Sequence, residues 1–269
     1  MQKPAWHFPE TIDEAVDLIA MEGILPHAGG TGLMRRGVRD LEGLVDLSGL
    51  KLDVAGIDGE VATFGSMLSF AEAARHMRGI DPESILVDAL DALPRSLRNR
   101  ITLGGSIALF PPWSDLVGPL VALDAEVLLE GKKRGTVKLE EALKDTSLKR
   151  GVLITGVRVP TTKWRGVYCR AERTCFDYAT FNISFLLKKA EDGSIEDARV
   201  VVVGCKDKVK RLDELEAALK GERAGDVDVA SVVESQPLEF RSKKSGSSDY
   251  LLHVARVELE RGLAKLLER

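Results

Sequence analysis

Apolar positions in this chain recur at two periods, and the points where the period changes divide it into elements. Ala15, Val16, Leu18 and Ile19 keep helical spacing behind Thr11-Ile12-Asp13-Glu14, a capping box, and Gly23 stops them. Residues 25–28 read as a strand running into a glycine-rich loop, and residues 43–47 as a second strand, so that loop is expected between strands. Residues 60–64 give another strand, leading to a second capping box, Ser69-Phe70-Ala71-Glu72, and a helix through about Met77. Residues 91–99 form a polar approach to a second glycine-rich stretch, beyond which Pro111 and Pro112 forbid a long helix. Residues 116–123 return to an apolar helical pattern. Residues 125–129 and 151–159 read as strands around a turn of helix at 138–143, closed by Pro160.

Past a boundary expected at residues 161–165, residues 178–189 and 195–203 read as a hairpin turning at Asp192-Gly193, with 200–203 a buried strand. Residues 212–219 form a helix ended by Gly221. Residues 249–267 place Leu251, Ala255, Leu259 and Leu263 every four residues, a last helix expected to pack on the hairpin with Ser247 or Ser248 as its cap. Residues 241–248 are loop-like, and no solenoid repeat or low-complexity tract interrupts the chain.

Composition narrows the function classes. The 269 residues, 44% hydrophobic, suffice for one large or two medium domains with ordinary cores. A net charge of -4 with interleaved signs argues against nucleic acid as a partner. The opening residues lack a signal-peptide core and no later run reaches a membrane span, so a cytoplasmic location without membrane contact is expected. Cys169, Cys175 and Cys205 are too few for a zinc site or iron–sulfur cluster, and read as buried thiols. No Ser-His-Asp order or metal-spaced histidine cluster supports hydrolase chemistry, so catalysis must belong to a cofactor.

Two glycine pairs point to that cofactor. Ala28-Gly29-Gly30-Thr31-Gly32-Leu33 and Thr102-Leu103-Gly104-Gly105-Ser106-Ile107 each set a hydroxyl beside glycines, as suits backbone N–H groups brought against a diphosphate from two sides. Neither contains the G-x-G-x-x-G of nicotinamide dinucleotide sites. A side chain at Gly30 or Gly105 would stand between the amides and the phosphates.

These blocks, with Phe8-Pro9, the run from Leu97 through Ala108, Pro112-Trp113-Ser114-Asp115 and Leu120-Val121-Ala122-Leu123-Asp124-Ala125, follow one another in an order that is similar to the flavoprotein subunit of the molybdenum hydroxylases, the family of xanthine dehydrogenase and carbon monoxide dehydrogenase. The resemblance covers nearly the whole chain. It implies an α+β protein: a two-subdomain FAD-binding fold of the vanillyl-alcohol-oxidase/PCMH type, followed by a C-terminal antiparallel sheet with helices. The expected domains are residues 1–162, with subdomains of about 1–52 and 53–162, and residues 163–269. The implied function is relay of electrons from a two-iron two-sulfur subunit through non-covalent FAD to NAD or another acceptor. Iron–sulfur clusters and molybdopterin would sit on partner subunits, in a dimer of heterotrimers. A stand-alone flavin oxidoreductase and a flavin-free assembly subunit are the alternatives.

By the same resemblance Ala28, Gly29, Gly30, Thr31, Gly32 and Leu33, with Thr102, Gly104, Gly105 and Ser106, bind the cofactor. Asp115 is placed near the flavin, though it also reads as the cap of the helix that follows; Leu120 and Leu123 wall the cofactor or fill the core. Arg170, where a lysine is common, and Asp177 belong to a block bordering the ring, in which Arg170 and Arg173 also read as solvated charges and Phe176 and Tyr178 as ring-stacking or core. Three positions depart from the family pattern: Gly32 replaces an acid, Ser106 an asparagine, and Leu251 after Tyr250 an arginine. A side-chain hydrogen bond lost at such a position costs about 1 kcal/mol. His27 is expected to end a strand rather than to carry a covalent flavin.

Overall fold

The structure, a computed structural model, describes residues 3–145, 150–174 and 177–268. Strand β1 (Ala5–His7) leads to α1 (Ile12–Ala20), whose cap is Thr11; its hydroxyl accepts from Glu14 N–H at 3.2 Å while Glu14 reaches back to Glu10 N–H at 2.9 Å. Then come β2 (Ile24–His27), α2 (Thr31–Arg36), β3 (Gly43–Asp46), β4 (Ala55–Asp58), β5 (Val61–Gly65) and α3 (Phe70–Ile80). Helices α4 (Ile85–Asp91), α5 (Arg95–Arg98), α6 (Leu103–Leu109) and α7 (Val117–Ala122) follow in close succession. The chain returns to strands with β6 (Glu126–Gly131) and β7 (Gly135–Lys138), turns through α8 (Leu139–Lys144), and continues as β8 (Val152–Pro160), β9 (Arg165–Ala171), β10 (Phe181–Lys189), β11 (Ile195–Val203) and β12 (Val209–Arg211). It ends in α9 (Asp213–Leu219), α10 (Val229–Glu234) and α11 (Ser248–Glu268).

These elements form two compact units. The first gathers the chain up to Ile80 with Leu93–Phe110 and Leu123–Thr161. It holds a parallel three-stranded sheet in the order β1-β3-β2 and an antiparallel five-stranded sheet in the order β4-β5-β8-β6-β7. Ala15 and Ile19, the apolar stripe of α1, are buried with Val45 of β3 and Leu153 of β8, so this helix joins the two sheets through one core.

The second unit combines Asp81–Ala92, Pro111–Ala122 and the chain from Thr162 onward, around the antiparallel sheet β12-β11-β10-β9. Phe181, Ile183, Phe185 and Leu187 alternate along one face of β10 and meet the buried Leu251, Ala255, Leu259 and Leu263 of α11. Gly262 brings that helix against the Phe185 ring, where a Cβ would overlap the ring. On the opposite face Gly118 of α7 approaches Asn182 and Ser184, which explains why residues 181–187 are buried without alternation.

The resembled architecture is the observed one: a mixed α/β flavin-binding arrangement followed by an antiparallel sheet with helices. Local differences have local reasons. The loop expected between β2 and β3 contains α2, and the second glycine pair lies in the first turn of α6 rather than in a loop. Helix α4 shows no amphipathic stripe because five of its seven residues are buried. Strands β1, β4 and β7 are only three or four residues long and mostly exposed, so they carry no buried apolar face for a sequence pattern to show.

Candidate functional site

In the first unit, β2 delivers the first glycine pair. The carbonyl of His27 accepts from Leu47 N–H at 3.1 Å, which ties the end of β2 to the residue beyond β3. Gly30 then turns the chain at φ 74°, a left-handed conformation that favours glycine, and stands at the N-cap of α2. Met34 N–H reaches Gly30 C=O at 2.9 Å, which leaves the N–H groups of Thr31, Gly32 and Leu33 ahead of it without partners inside the helix.

The second pair is used differently. Leu103 N–H donates to Leu68 C=O at 3.0 Å, Gly104 N–H to Ser66 C=O at 2.8 Å and Gly105 N–H to Thr102 Oγ1 at 3.3 Å. Its amides hold the 66–69 segment and the cap of α6, so the two pairs are not equivalent sources of bare donors. Thr102 also bridges to Ser69, and Phe70 N–H donates to Ile101 C=O at 2.9 Å.

The glycines separate in the same way. A Cβ on Gly29 would collide with Arg100 C=O, one on Gly32 with Leu109 Cδ1, and one on Gly104 would lie 2.6 Å from Ser66 Cβ. These three permit close packing. A Cβ on Gly30 would meet only the His27 imidazole, at 3.1 Å from Nε2, and one on Gly105 only Thr102 Oγ1, at 2.8 Å. Beside Gly30 opens a cleft of about 270 Å³, lined by His27, Ala28 and Gly29 on one side, Met67, Ser69 and Glu72 on another, and Asn99, Arg100 and Thr102 on a third.

Glu72 is fixed there by the capping box: Oε2 accepts from Ser69 Oγ at 2.6 Å and from Ser69 N–H at 2.9 Å, and these bonds hold its carboxyl below the usual glutamate range. Glu72, Asn99 and Arg100 were not singled out as site residues by the sequence. The cap was legible, but which way its carboxylate faced was not.

The remaining expected residues lie in the second unit. Asp115, preceding α7, is buried; its Oδ1 accepts from Tyr168 Oη at 2.7 Å and from Arg170 Nε at 2.8 Å. Burial pushes the Asp115 carboxyl up, against the opposing pull of Arg170 and Tyr168, and pushes the Tyr168 hydroxyl well up, reinforced by the Asp115 charge. Arg170 also pairs with Glu172 and donates from Nη2 to Asp177 C=O at 2.8 Å. With 9% of its side chain exposed, Arg170 is an interior cross-link of its unit rather than a solvated charge. Asp177 binds Arg173 through Nε at 2.9 Å and Nη2 at 2.8 Å, and these bonds, with Tyr178 N–H, lower its carboxyl.

Leu120 and Leu123 are buried, each within its own unit. Tyr168, the second anchor of Asp115, belongs by resemblance to the block bordering the ring, but its pairing was missed because nothing marks a tyrosine on a strand as the partner of an acid about fifty residues away. Phe176 and Cys175 lie outside the described residues. Cys169 and Cys205 are free thiols; burial pushes Cys169 up to about 11, which makes it a poor nucleophile. Among the described residues no cluster of three or more His, Cys, Asp or Glu could hold a metal ion, and no helix is long and apolar enough to cross a membrane.

Comparison with known proteins covers almost the whole chain. Residues 2–162 match the family described as the FAD binding domain in molybdopterin dehydrogenase, and residues 166–266 the CO dehydrogenase flavoprotein C-terminal domain. The nicotine 6-hydroxylase medium subunit of Paenarthrobacter nicotinovorans is 28% identical over 93% of both chains. The glyceraldehyde dehydrogenase medium chain of Sulfolobus acidocaldarius is 32% identical over 60% of this chain, a match that spans 59% of the relative's length. Among solved structures, a chain of quinoline 2-oxidoreductase from Pseudomonas putida 86 superposes with a TM-score of 0.89 at 21% identity, covering 99% of this chain and 98% of that one. A chain of carbon monoxide dehydrogenase from Hydrogenophaga pseudoflava gives 0.89 at 24% identity, covering 98% and 97%. At these identities the superpositions establish a shared fold.

Proposed function

Because the chain belongs to the family of FAD-binding domains of molybdopterin dehydrogenases, we propose that it is the flavin-carrying electron-transfer subunit of a molybdenum hydroxylase complex. The observation that carries this reading is the turn at Gly30: a left-handed glycine, three amides without helical partners and an adjoining cleft. A diphosphate fits such a turn, since oriented N–H groups stabilise anionic oxygens without a lysine. FAD bound there supplies the redox chemistry; the protein supplies position and polarity.

In this reading Ala28, Gly29, Gly30, Thr31, Gly32 and Leu33 wrap the diphosphate. Gly104 keeps the 66–69 segment in place, Thr102 lines the cleft, and Gly105 and Ser106 are assigned to the cofactor by the resemblance. The resemblance assigns Asp115, Leu120, Arg170 and Asp177 to the border of the flavin ring. Arg170 acts there by fixing the Asp115 carboxylate, because its own guanidinium is already engaged by Asp115, Glu172 and Asp177. Residues 1–162 are read as the FAD-binding domain and residues 163–269 as the C-terminal flavoprotein domain, with segments 81–92 and 111–122 of the former packing in the compact unit of the latter.

Electrons would arrive from a two-iron two-sulfur subunit and leave to NAD or another acceptor, while a molybdopterin subunit handles the organic substrate. The supporting observation is that three cysteines, two of them free thiols where described, cannot build a cluster on this chain. Acid precipitation of the purified protein tests the cofactor assignment. Yellow FAD released into the supernatant is expected; flavin left in the pellet contradicts non-covalent binding. A colourless protein indifferent to added FAD supports the assembly-subunit alternative.

A further inference from the structure

The His27 imidazole has no part in the expected site, yet it stands at its entrance. His27 is the last residue of β2 and lines the cleft beside Gly29. Its Nε2 lies 3.1 Å from where a Cβ on Gly30 would stand, on the side of the turn that is otherwise open. Trp6 of β1 meets the ring edge-on, with centroids 4.9 Å apart and planes at 75°, and so limits its rotation. We infer that His27 is a diphosphate-binding residue whose protonated imidazole donates a charge-assisted hydrogen bond to the anionic oxygens held at the glycine turn.

This inference rests on the FAD reading and deepens it. A histidine at this place supplies a positive charge that the glycine turn itself lacks, and a charge-assisted bond is about twice as strong as a neutral one. Charged groups stand around the imidazole. Asp46 faces it from β3 in the register pair His27↔Asp46, and Glu72 and Arg100 face the same cleft from α3 and from the approach to α6. Both carboxyls are held below their usual ranges and so stay ionised at neutral pH. His7, also on β1, turns its ring toward Gly43, His76 lies exposed on α3 with its charge directed at Glu72, and Arg35 and Arg36 occupy the last turn of α2. The diphosphate keeps its charge over the same range, so affinity should be tighter where an imidazole carries its proton and weaker where it has lost it.

Flavin fluorescence quenching with the full-length protein tests this between about pH 6 and about pH 8.5, the span in which an imidazole ordinarily loses its proton. For the unaltered protein the dissociation constant for FAD is expected to rise about tenfold across that span, the equivalent of one charge-assisted bond. His27→Gln should be flat at the weaker value, and His76→Gln should keep the slope. Riboflavin, which has no phosphate, should show no slope with either. A His27→Gln protein that retains the full slope, or an equal slope for riboflavin, overturns the inference while leaving FAD binding intact. Failure to bind FAD at every pH overturns the functional reading and the inference together. An imidazole NMR titration of the unaltered protein needs no variant: ADP should raise the midpoint of one of the four histidines, and four unmoved midpoints overturn the assignment.

Discussion

The glycines of this protein divide into those whose Cβ would strike packed atoms and those whose Cβ would crowd a single polar side chain, and substitution should tell them apart. Gly29→Ala puts a Cβ into the Arg100 carbonyl, so it is expected to lower unfolding stability by about 2 kcal/mol or more, measured in urea. Gly105→Val sets a Cβ 2.8 Å from the Thr102 hydroxyl, which must shift at the cap of α6, but valine is no worse a helix former than glycine, so the protein should stay folded. Its FAD affinity should nevertheless drop at least about tenfold by fluorescence quenching, and Arg211→Ala, on β12, should leave it unchanged. Asp115→Asn removes the buried counter-charge of Arg170 and is expected to cost about 3 kcal/mol, the low end for breaking a buried pair, because Glu172 remains. Tyr168→Phe should cost about 1 kcal/mol. The left-handed turn at Gly30 was legible from the glycine spacing, but Glu72, Asn99 and Arg100, which line the cleft beside it, were not. Nor was the division of labour between the pairs, because it depends on the 66–69 segment crossing α6 and drawing off the Leu103 and Gly104 amides.

Capping boxes and four-residue leucine spacing located α1, α3 and α11 from sequence, since a cap and an apolar stripe are local signals. Ser247, one of the two expected caps of α11, accepts from Tyr250 N–H at 3.3 Å. Elements α4, α10, β4 and β7 escaped because they are short, or buried on all sides, or exposed along their length. The Ser69–Glu72 box carries a pH prediction. Ser69 lowers the Glu72 carboxyl in the folded state, so the stabilisation is fully present above the ordinary glutamate range and lost as pH falls through the lowered folded value. Thermal unfolding of the unaltered protein and Glu72→Gln should therefore converge in acid and diverge toward neutrality. A constant gap would show that the carboxylate contributes nothing as a charge. In α11, Gly262→Ala reverses the usual rule: alanine favours helices by about 1 kcal/mol, but here its Cβ overlaps the Phe185 ring, so the variant should melt lower.

At the scale of the whole molecule, the order of the sequence blocks anticipated the family because each block is a backbone requirement, a turn or a cap, that the residue types show directly. Partners and acceptor are not encoded that way; they depend on surfaces that complementary chains would cover. Native purification should recover this chain together with iron- and molybdenum-containing subunits, and metal analysis of its fractions checks that. The most direct measurement of the central claim is an absorbance and fluorescence titration of the full-length protein with FAD. The account predicts saturable binding of one FAD per chain, released intact by acid and weakened by Gly105→Val. A protein that stays colourless and leaves FAD fluorescence unquenched at every concentration would contradict it.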